Sequence, residues 1–187
     1  SPITVPYTIT PIGPAPTNCP GTPFNLDVTV NPTPNVSATP NFQLICSGTT
    51  TNIGLTTTIT GATVTYSWTA AVTSGSATGF TNGSGSPIAE TLTNTGTSQA
   101  VVTYTITPAI GTCTGIPITV DIIVNRSGNV IPSGNQTACN DTNTAVIAFS
   151  TTNSDGATTY TWTNNNTAIG LGANGNGNIP SFLATNT

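Results

Sequence analysis

The sequence predicts an all-β chain built from tandem β-sandwich modules of about 94 residues, and three observations predict it. Alternating runs of Val, Ile, Thr and Tyr indicate short strands, because successive side chains of a strand point to opposite faces. Whole segments of the chain recur at a nearly constant spacing, which indicates a repeated module. Only 3% of the residues are charged, while 19 Gly and 15 Pro supply turns, and no segment has helical periodicity.

The strands of the central part can be taken in order from these alternating residues. They are Phe42, Leu44 and Cys46; Ile53 and Leu55 with Ile59; Val64, Tyr66 and Trp68; Ile88, Glu90 and Leu92; Val102, Tyr104 and Ile106; and Ile116, Ile118, Val120, Ile122 and Val124. In the last run Thr119 and Asp121 lie on the other face. About seven short strands separated by Gly, Asn and Pro turns predict an immunoglobulin-like sandwich.

The repeat is the most specific signal in the chain. Tyr66-Ser67-Trp68 recurs as Tyr160-Thr161-Trp162, and Asn31-Pro32 through Asn35-Val36 recurs as Asn125-Arg126 through Asn129-Val130, both at 94 residues; Cys19 and Asp27 match Cys113 and Asp121 at the same spacing. Cys46 matches Cys139 at 93, Asn94-Thr95 matches Asn186-Thr187 at 92, and Tyr7 through Pro11 matches Tyr104 through Pro108 at 97. These collinear matches predict one module type with small changes in loop length.

The phase of the repeat predicts three parts. Residues 1–36 correspond to the C-terminal part of a truncated module, 37–130 to a complete module, and 131–187 to the N-terminal part of another truncated module. We therefore expect a chain of about two repeat lengths from a longer tandem array, beginning and ending within modules.

Charge excludes several classes of function. The single basic residue, Arg126, cannot neutralise a row of phosphates or bind an anionic membrane surface, so we expect neither nucleic acid nor membrane partners. No apolar run approaches the length of a membrane helix, so no membrane insertion is expected in this segment. Without His or Lys, Ser and Thr have no ordinary activating base, so we predict no enzyme, no catalytic residues and no cofactor.

Two kinds of residue suggest a binding role, and each has a simpler structural interpretation. Trp68 is either a platform for stacking sugars or the core Trp of a central strand, and its recurrence as Trp162 in the same setting favours the core. Asp27 and Asp121 are either calcium ligands at a module junction or solvated residues of a strand face. Because calcium prefers several carboxylates, one Asp per module favours the solvated face, and no metal site is predicted.

The four cysteines predict disulfides in an oxidising compartment outside the cytoplasm. The complete module contains Cys46 and Cys113, so the simplest pairing is Cys46–Cys113, with Cys19 and Cys139 bonded to partners in the missing parts of their own modules. Metal binding is the alternative, but the CxxC spacing and His that such sites use are missing.

Three long strings carry a resemblance to a known family. Residues 102–125 (VTYTITPAIGTCTGIPITVDIIVN), 82–97 (NGSGSPIAETLTNTGT) and 135–187, which begin NQTACN and contain YTWTNNNTAIGLGANGNGNIPSFLATNT, resemble the PKD-like repeats of very large Bacteroidetes surface proteins. These include the SprB-type mobile adhesins of gliding bacteria, exported by type IX secretion. The resemblance implies extracellular, outer-membrane-associated display, a filament-like stalk, and adhesion to surfaces or polysaccharide.

Several functions are compatible with this pattern. The first is a semi-rigid stalk and adhesion surface of a cell-surface filament, associated with gliding motility, whose partners are neighbouring modules, other filament copies and surface polysaccharide. The second is a carbohydrate-binding module. The third is a pilus-like subunit in which residues 1–36 complete the sandwich begun by 131–187 of another copy. A spacer in a secreted multidomain hydrolase is a fourth.

Overall fold

The computed structural model describes residues 1–131 and 133–186, and this part of the chain is almost entirely β. Thr187, the last residue of the repeat matches, lies outside the described residues. The strands are β1 (Ile3–Ile9), β2 (Phe24–Val30), β3 (Ser37–Thr39), β4 (Phe42–Cys46), β5 (Thr49–Thr50), β6 (Gly54–Thr56), β7 (Thr65–Ser74), β8 (Ala77–Thr78), β9 (Gly83–Ser84), β10 (Thr91–Asn94), β11 (Ala100–Ile110), β12 (Cys113–Thr114), β13 (Ile118–Asn125), β14 (Thr142–Asn143), β15 (Thr161–Thr163), β16 (Asn174–Asn176) and β17 (Leu183–Ala184). A single turn of 3₁₀ helix, Thr167–Ile169, lies between β15 and β16.

The central part is a β-sandwich, which confirms the predicted fold class. One sheet has the order β4-β13-β11-β7-β9, with β12 added to the end of β11. The opposing layer is made of shorter pieces: β5-β10-β8, β3-β6, and a bridge between Ile53 and Ile88. β4 runs parallel to β13, whereas the other pairs of this sheet are antiparallel.

The core lies between these two layers and is centred on β11. Along the eleven residues of β11, every second side chain is buried, as period-two alternation requires of a strand with one face in the core. Fully or almost fully buried core residues are Ile53, Leu55, Trp68, Ile88, Leu92, Ala100, Val102, Tyr104, Ile106, Val120, Ile122 and Val124. Val36 is also a buried member of this core.

Two of the predicted alternating runs need correction. In β13 the core residues begin at Ile118, and Ile116 is 80% exposed and precedes the strand. In β4 the exposed side chains are Phe42 and Leu44, while Ile45 is partly buried and packs against the core. The side chain that alternates inward with Ile45 is Gln43, which the apolar pattern alone does not reveal.

Residues 1–30 form an antiparallel hairpin of β1 and β2. Its register pairs Ile3 with Val30 and Ile9 with Phe24. Every residue of both strands is exposed, including the apolar ones. The hairpin therefore has regular strand pairing, but no core lies beneath it among residues 1–131 and 133–186.

The described residues after 131 form a partial copy of the central layers. Ile131 bridges to Ser150, β14 pairs with β17, and β15 pairs with β16. These pairings repeat β3–β6, β5–β10 and β7–β9 of the central sandwich at offsets of 92 to 94 residues. β11 and β13 have no counterpart among the described residues of this segment.

Candidate interaction surfaces

One polar cluster of the central sandwich surrounds Glu90. Buried Tyr104 donates its hydroxyl to Glu90 Oε2 at 2.5 Å, and the Thr81 backbone N–H donates to Glu90 Oε1 at 3.0 Å. Burial, followed by the hydrogen bond and charge of Glu90, raises the pKa of Tyr104 above its ordinary value. Tyr104 is therefore held as a neutral donor that fixes the carboxylate, a structural arrangement rather than an acid–base pair.

The acidic residues singled out by the sequence lie apart from one another. Asp121 is exposed on the outer face of β13 and accepts a hydrogen bond of 2.6 Å from the Thr103 hydroxyl. Asp27 is exposed on the hairpin, in register with Pro6. Among residues 1–131 and 133–186, no group of three or more His, Cys, Asp and Glu is close enough to hold a metal ion.

Trp68 belongs to the core, so the alternative of an open sugar-stacking platform is wrong for this residue. It is 9% exposed, and its indole N–H donates to the Thr81 carbonyl at 3.2 Å. Gly83 on β9 lies against the ring, where an added Cβ would fall 2.6 Å from the Trp68 Cζ2 atom. Trp162 and Gly175 repeat this contact after residue 131, with the corresponding distance 2.2 Å.

The structure does not form the predicted Cys46–Cys113 disulfide, and the sheet registers explain why. Cys46 is in register with Asn125, where β13 ends, whereas Cys113 is in register with Ile110 at the opposite end of β11. Eleven residues of β11 separate these ends by roughly 35 Å. A disulfide needs Cα atoms within roughly 7 Å, so this pairing within one module is wrong. All four cysteines are free and exposed.

The hairpin presents an apolar face that nothing covers in the described chain. It consists of Ile3, Val5, Tyr7 and Ile9 on β1 with Phe24, Leu26, Val28 and Val30 on β2, which are 41–65% exposed. We call these eight side chains the hairpin face.

The hairpin repeats the β11–β13 pair of the central sandwich residue by residue. In the hairpin Tyr7 is paired with Leu26, and in the central sheet Tyr104 is paired with Val120, at the offsets of 97 and 94 that the sequence shows. The same holds for all four apolar pairs of the hairpin face. Their central counterparts are buried, Ile118 only partly. The hairpin face therefore has the geometry of a core surface.

A second repeated feature is the junction between successive parts. Gly61 lies against Ser1 and Pro2, so that an added Cβ would fall 3.2 Å from the Ser1 Cβ. Asp155, 94 residues after Gly61, accepts a hydrogen bond from the backbone N–H of Gln99, 97 residues after Pro2. The hairpin therefore meets the central sandwich through the same positions by which the central sandwich meets the following segment.

Further contacts hold the second junction. The Ser154 backbone N–H donates to the Thr97 carbonyl at 2.8 Å, and the Arg126 guanidinium donates to the Gly96 carbonyl. An open polar cleft of about 480 Å³ lies beside these contacts, with Arg126 and Asp155 in its wall. No residue of the cleft was singled out as functional from the sequence.

An asparagine just before each module boundary makes the same two hydrogen bonds to the module that follows. Asn35 Oδ1 accepts from the Thr57 hydroxyl at 2.7 Å and from the Thr58 backbone N–H at 3.2 Å. Asn129 makes the corresponding bonds to the residues 94 positions later. The sequence shows that the Asn35 segment recurs. It does not show these hydrogen bonds, because they depend on loop positions that the strand pattern does not predict.

Comparison with known proteins gives one family. The family model described as a PKD-like domain matches residues 1–34 and 43–128. No curated protein and no solved structure matches the chain.

Proposed function

The chain belongs to the PKD-like domain family, and on that basis we propose that it is a structural repeat segment of a long extracellular adhesin or filament. The observation that carries this proposal is the repeated junction. Gly61 lies against Ser1 and Pro2 of the hairpin, and Asp155, at the equivalent repeat position, accepts a hydrogen bond from the Gln99 backbone N–H. Equivalent contacts at successive junctions give every module the same placement relative to its neighbour. A linear array with one repeated placement is a rod of regular pitch.

The shape of the module suits a stalk. The chain enters the central sandwich at β3 and leaves it from the end of β13, after crossing a sheet roughly 35 Å tall. Each module therefore adds its full height to an array. The second junction carries hydrogen bonds from Ser154 and Arg126, which favour a semi-rigid connection over a flexible linker.

Family membership supports a location and a kind of activity. PKD-like domains are typically extracellular and generally non-catalytic, and we propose both properties for this chain. Within the described residues, no helix is long and apolar enough to cross a membrane. Attachment to a bacterial outer membrane, export by type IX secretion and a part in gliding motility belong to this proposal and rest on the sequence resemblance.

Small-angle X-ray scattering tests the stalk. Stacking the hairpin, the central sandwich and the following segment end to end gives a rod of roughly 85 Å, with a radius of gyration of about 25 Å. A compact globule of 187 residues would have a radius of gyration of about 16 Å. We expect rod-like scattering from the monomer. The compact value would contradict the proposal.

A pair of cysteines tests the junction directly. Thr97→Cys combined with Ser154→Cys, in a chain whose four native cysteines are changed to Ser, places two thiols at backbones joined by a 2.8 Å hydrogen bond. We expect rapid formation of an intramolecular disulfide, because the paired backbones lie within bridging range. The matched control combines Thr97→Cys with Gly134→Cys, since Gly134 has no atom of another segment within 4 Å of an added Cβ. Equal oxidation of both pairs would contradict a fixed junction.

A further inference from the structure

We propose that the open edge of β4 in the central sandwich binds a second copy of this chain, which adds its own β4 in antiparallel orientation. The central sheets of the two copies would then join into one continuous sheet across a two-fold axis. The proposal deepens the adhesive stalk proposed above by naming a partner for it, and it rests on that function only for its biological purpose.

β4 is the longest open strand edge of the central sandwich. Its five residues pair with β13 on one side, and among residues 1–131 and 133–186 no other strand pairs with it. The other strands that leave an edge open in the central sandwich are two or three residues long. Because an open edge presents unpaired N–H and C=O groups, it can accept a further strand. This edge belongs to the complete module, and end-to-end stacking of modules leaves it open.

The β4 edge lacks the features that normally prevent edge strands from pairing. Protected edges carry charged residues, proline or a bulge. β4 contains no charged residue and no proline, and its register with β13 continues without a shift. An uncharged edge meets no like charge when it faces an identical edge, so a second copy of β4 is an electrostatically compatible partner.

An apolar row on the outer face of the central sheet ends at this edge. Leu44 of β4 is in register with Ile123 of β13, which is in register with Val101 of β11. Leu44 is 59% exposed, and Phe42, which lies on the same face of β4, is 49% exposed. Opposite residues of an antiparallel pair point to the same face, so a second β4 would continue this row and remove part of its surface from water.

The repeats on either side of the central module are polar at the same positions. In the hairpin, the residues equivalent to the β11 and β13 members of the row are Thr4 and Thr29, which are in register with each other. In the following segment, the residue equivalent to Leu44 is Thr137, 93 positions later. The module fold therefore does not require the apolar row, and the proposed contact is specific to the central module.

Two conditions define the register between the copies. Outward side chains of both strands must lie on the same face, and all five residues of each strand should pair. Leu44 then lies opposite Leu44 of the second copy, and Phe42 lies opposite Cys46 of the second copy. Because the paired strands are antiparallel, the two chains run in opposite directions. The contact would therefore join stalks that project towards each other from two facing surfaces.

Cysteine cross-linking of the full chain tests this register. In a chain whose four native cysteines are changed to Ser, Leu44→Cys places a thiol at the two-fold axis, within disulfide range of its own copy. The matched control is Phe42→Cys, on the same strand and face, whose two copies would lie four residues apart along the strands, roughly 13 Å. After oxidation in air, we expect the dimer of Leu44→Cys to form at least tenfold faster. Equal rates would overturn the proposal.

The native Cys46 provides a second measurement of the same register. We retain Cys46, change the other three cysteines to Ser and introduce Phe42→Cys. Residues 42 and 46 are too far apart along one extended strand to bond to each other, but they face each other twice across the axis. We therefore expect a non-reducing dimer, at twice 18.8 kDa, held by two intermolecular disulfides. A chain that stays monomeric under these conditions would contradict the register.

A charge at the axis separates a specific contact from random collision. Adding Leu44→Asp to the chain with Phe42→Cys and Cys46 places two like charges side by side, so dimer formation should slow at least tenfold. Thr137→Asp adds the same charge at the equivalent position of the following segment and should leave the rate unchanged. Equal effects of the two changes would refute the contact. The radius of gyration of the monomer does not depend on β4 pairing, so this result and the test of the stalk are independent.

Discussion

The side chain of Asn94 provides the sharpest test of how the central sandwich is held together. Asn94 is 8% exposed, and its Nδ2 donates to the carbonyls of Val124 and Ser98, each at 2.8 Å. Its Oδ1 accepts from the Gly96 backbone N–H at 2.9 Å. Asn94 thus connects the end of β10 in one layer to the end of β13 in the other, and it also fixes the turn between β10 and β11.

The cost of Asn94→Ala follows from these three bonds. A net contribution of about 1 kcal/mol for each hydrogen bond gives a loss of about 3 kcal/mol in the free energy of unfolding. For a domain of this size, that corresponds to a decrease in Tm of roughly 12–24 °C. Asn94→Asp should cost at least as much, because it keeps the acceptor for Gly96 but turns carboxylate oxygen towards two carbonyls.

Urea unfolding followed by Trp fluorescence measures this loss. The control is Asn186→Ala, at the equivalent repeat position, where the asparagine is exposed and the change should stay within about 0.5 kcal/mol. If Asn94→Ala costs no more than this control at an unchanged m-value, the two layers are not held by the Asn94 side chain and the reasoning fails.

Two further perturbations test the core and its turns. Burial and the contact with Glu90 raise the pKa of Tyr104, so above about pH 10 the unfolded chain ionises this phenol and the folded chain does not. The free energy of unfolding should therefore fall by about 1.4 kcal/mol per pH unit relative to the Tyr104→Phe variant. Parallel pH profiles of the two proteins would contradict this. Gly79→Ala should destabilise the chain by well over 1 kcal/mol, because φ is +94° and the added Cβ would lie 2.0 Å from the Thr91 carbonyl oxygen. Gly85→Ala shares the positive φ of +107° but has no neighbour within 4 Å, so its cost in urea unfolding should be about 1 kcal/mol; equal costs would show that the close approach at Gly79 is relieved.

The fold class was predictable because it depends on local alternation. The buried residues of β11, such as Val102 and Ile106, follow the period of two that the sequence displays. β4 shows the limit of the same reasoning. Side chains of this strand alternate between two faces, and the partly buried face carries Gln43 and Ile45, whereas Phe42 and Leu44 lie on the exposed face. Strand period is visible in one sequence, but the face that turns inward at a sheet edge depends on neighbouring strands.

The cysteine pairing failed for a related reason. Cys46 and Cys113 belong to the same module, but their distance depends on the parallel pairing of β4 with β13, which is a long-range contact. Sequence repeats identify equivalent positions, but they do not show which residues lie at opposite ends of a sheet. The interaction surfaces were partly predictable: the match of Tyr7 to Tyr104 indicated that residues 1–36 repeat the C-terminal part of a module. The junction through Gly61 and Asp155 was not, because it depends on loop positions.

The parallel pairing of β4 with β13 has a mechanical consequence for an extracellular stalk. Once the short strand β3 has separated from β6, tension along the array pulls β4 back from its Phe42 end and pulls β13 forward from its Asn125 end. The two strands are then loaded in opposite directions along their shared axis, so all five registered pairs from Phe42–Asp121 to Cys46–Asn125 bear the load together. An antiparallel terminal pair pulled from one end would instead lose its bonds one at a time. Under this shear, a module unfolds only when all five pairs separate together. The resistance to force comes from the relative direction of the two strands rather than from additional hydrogen bonds.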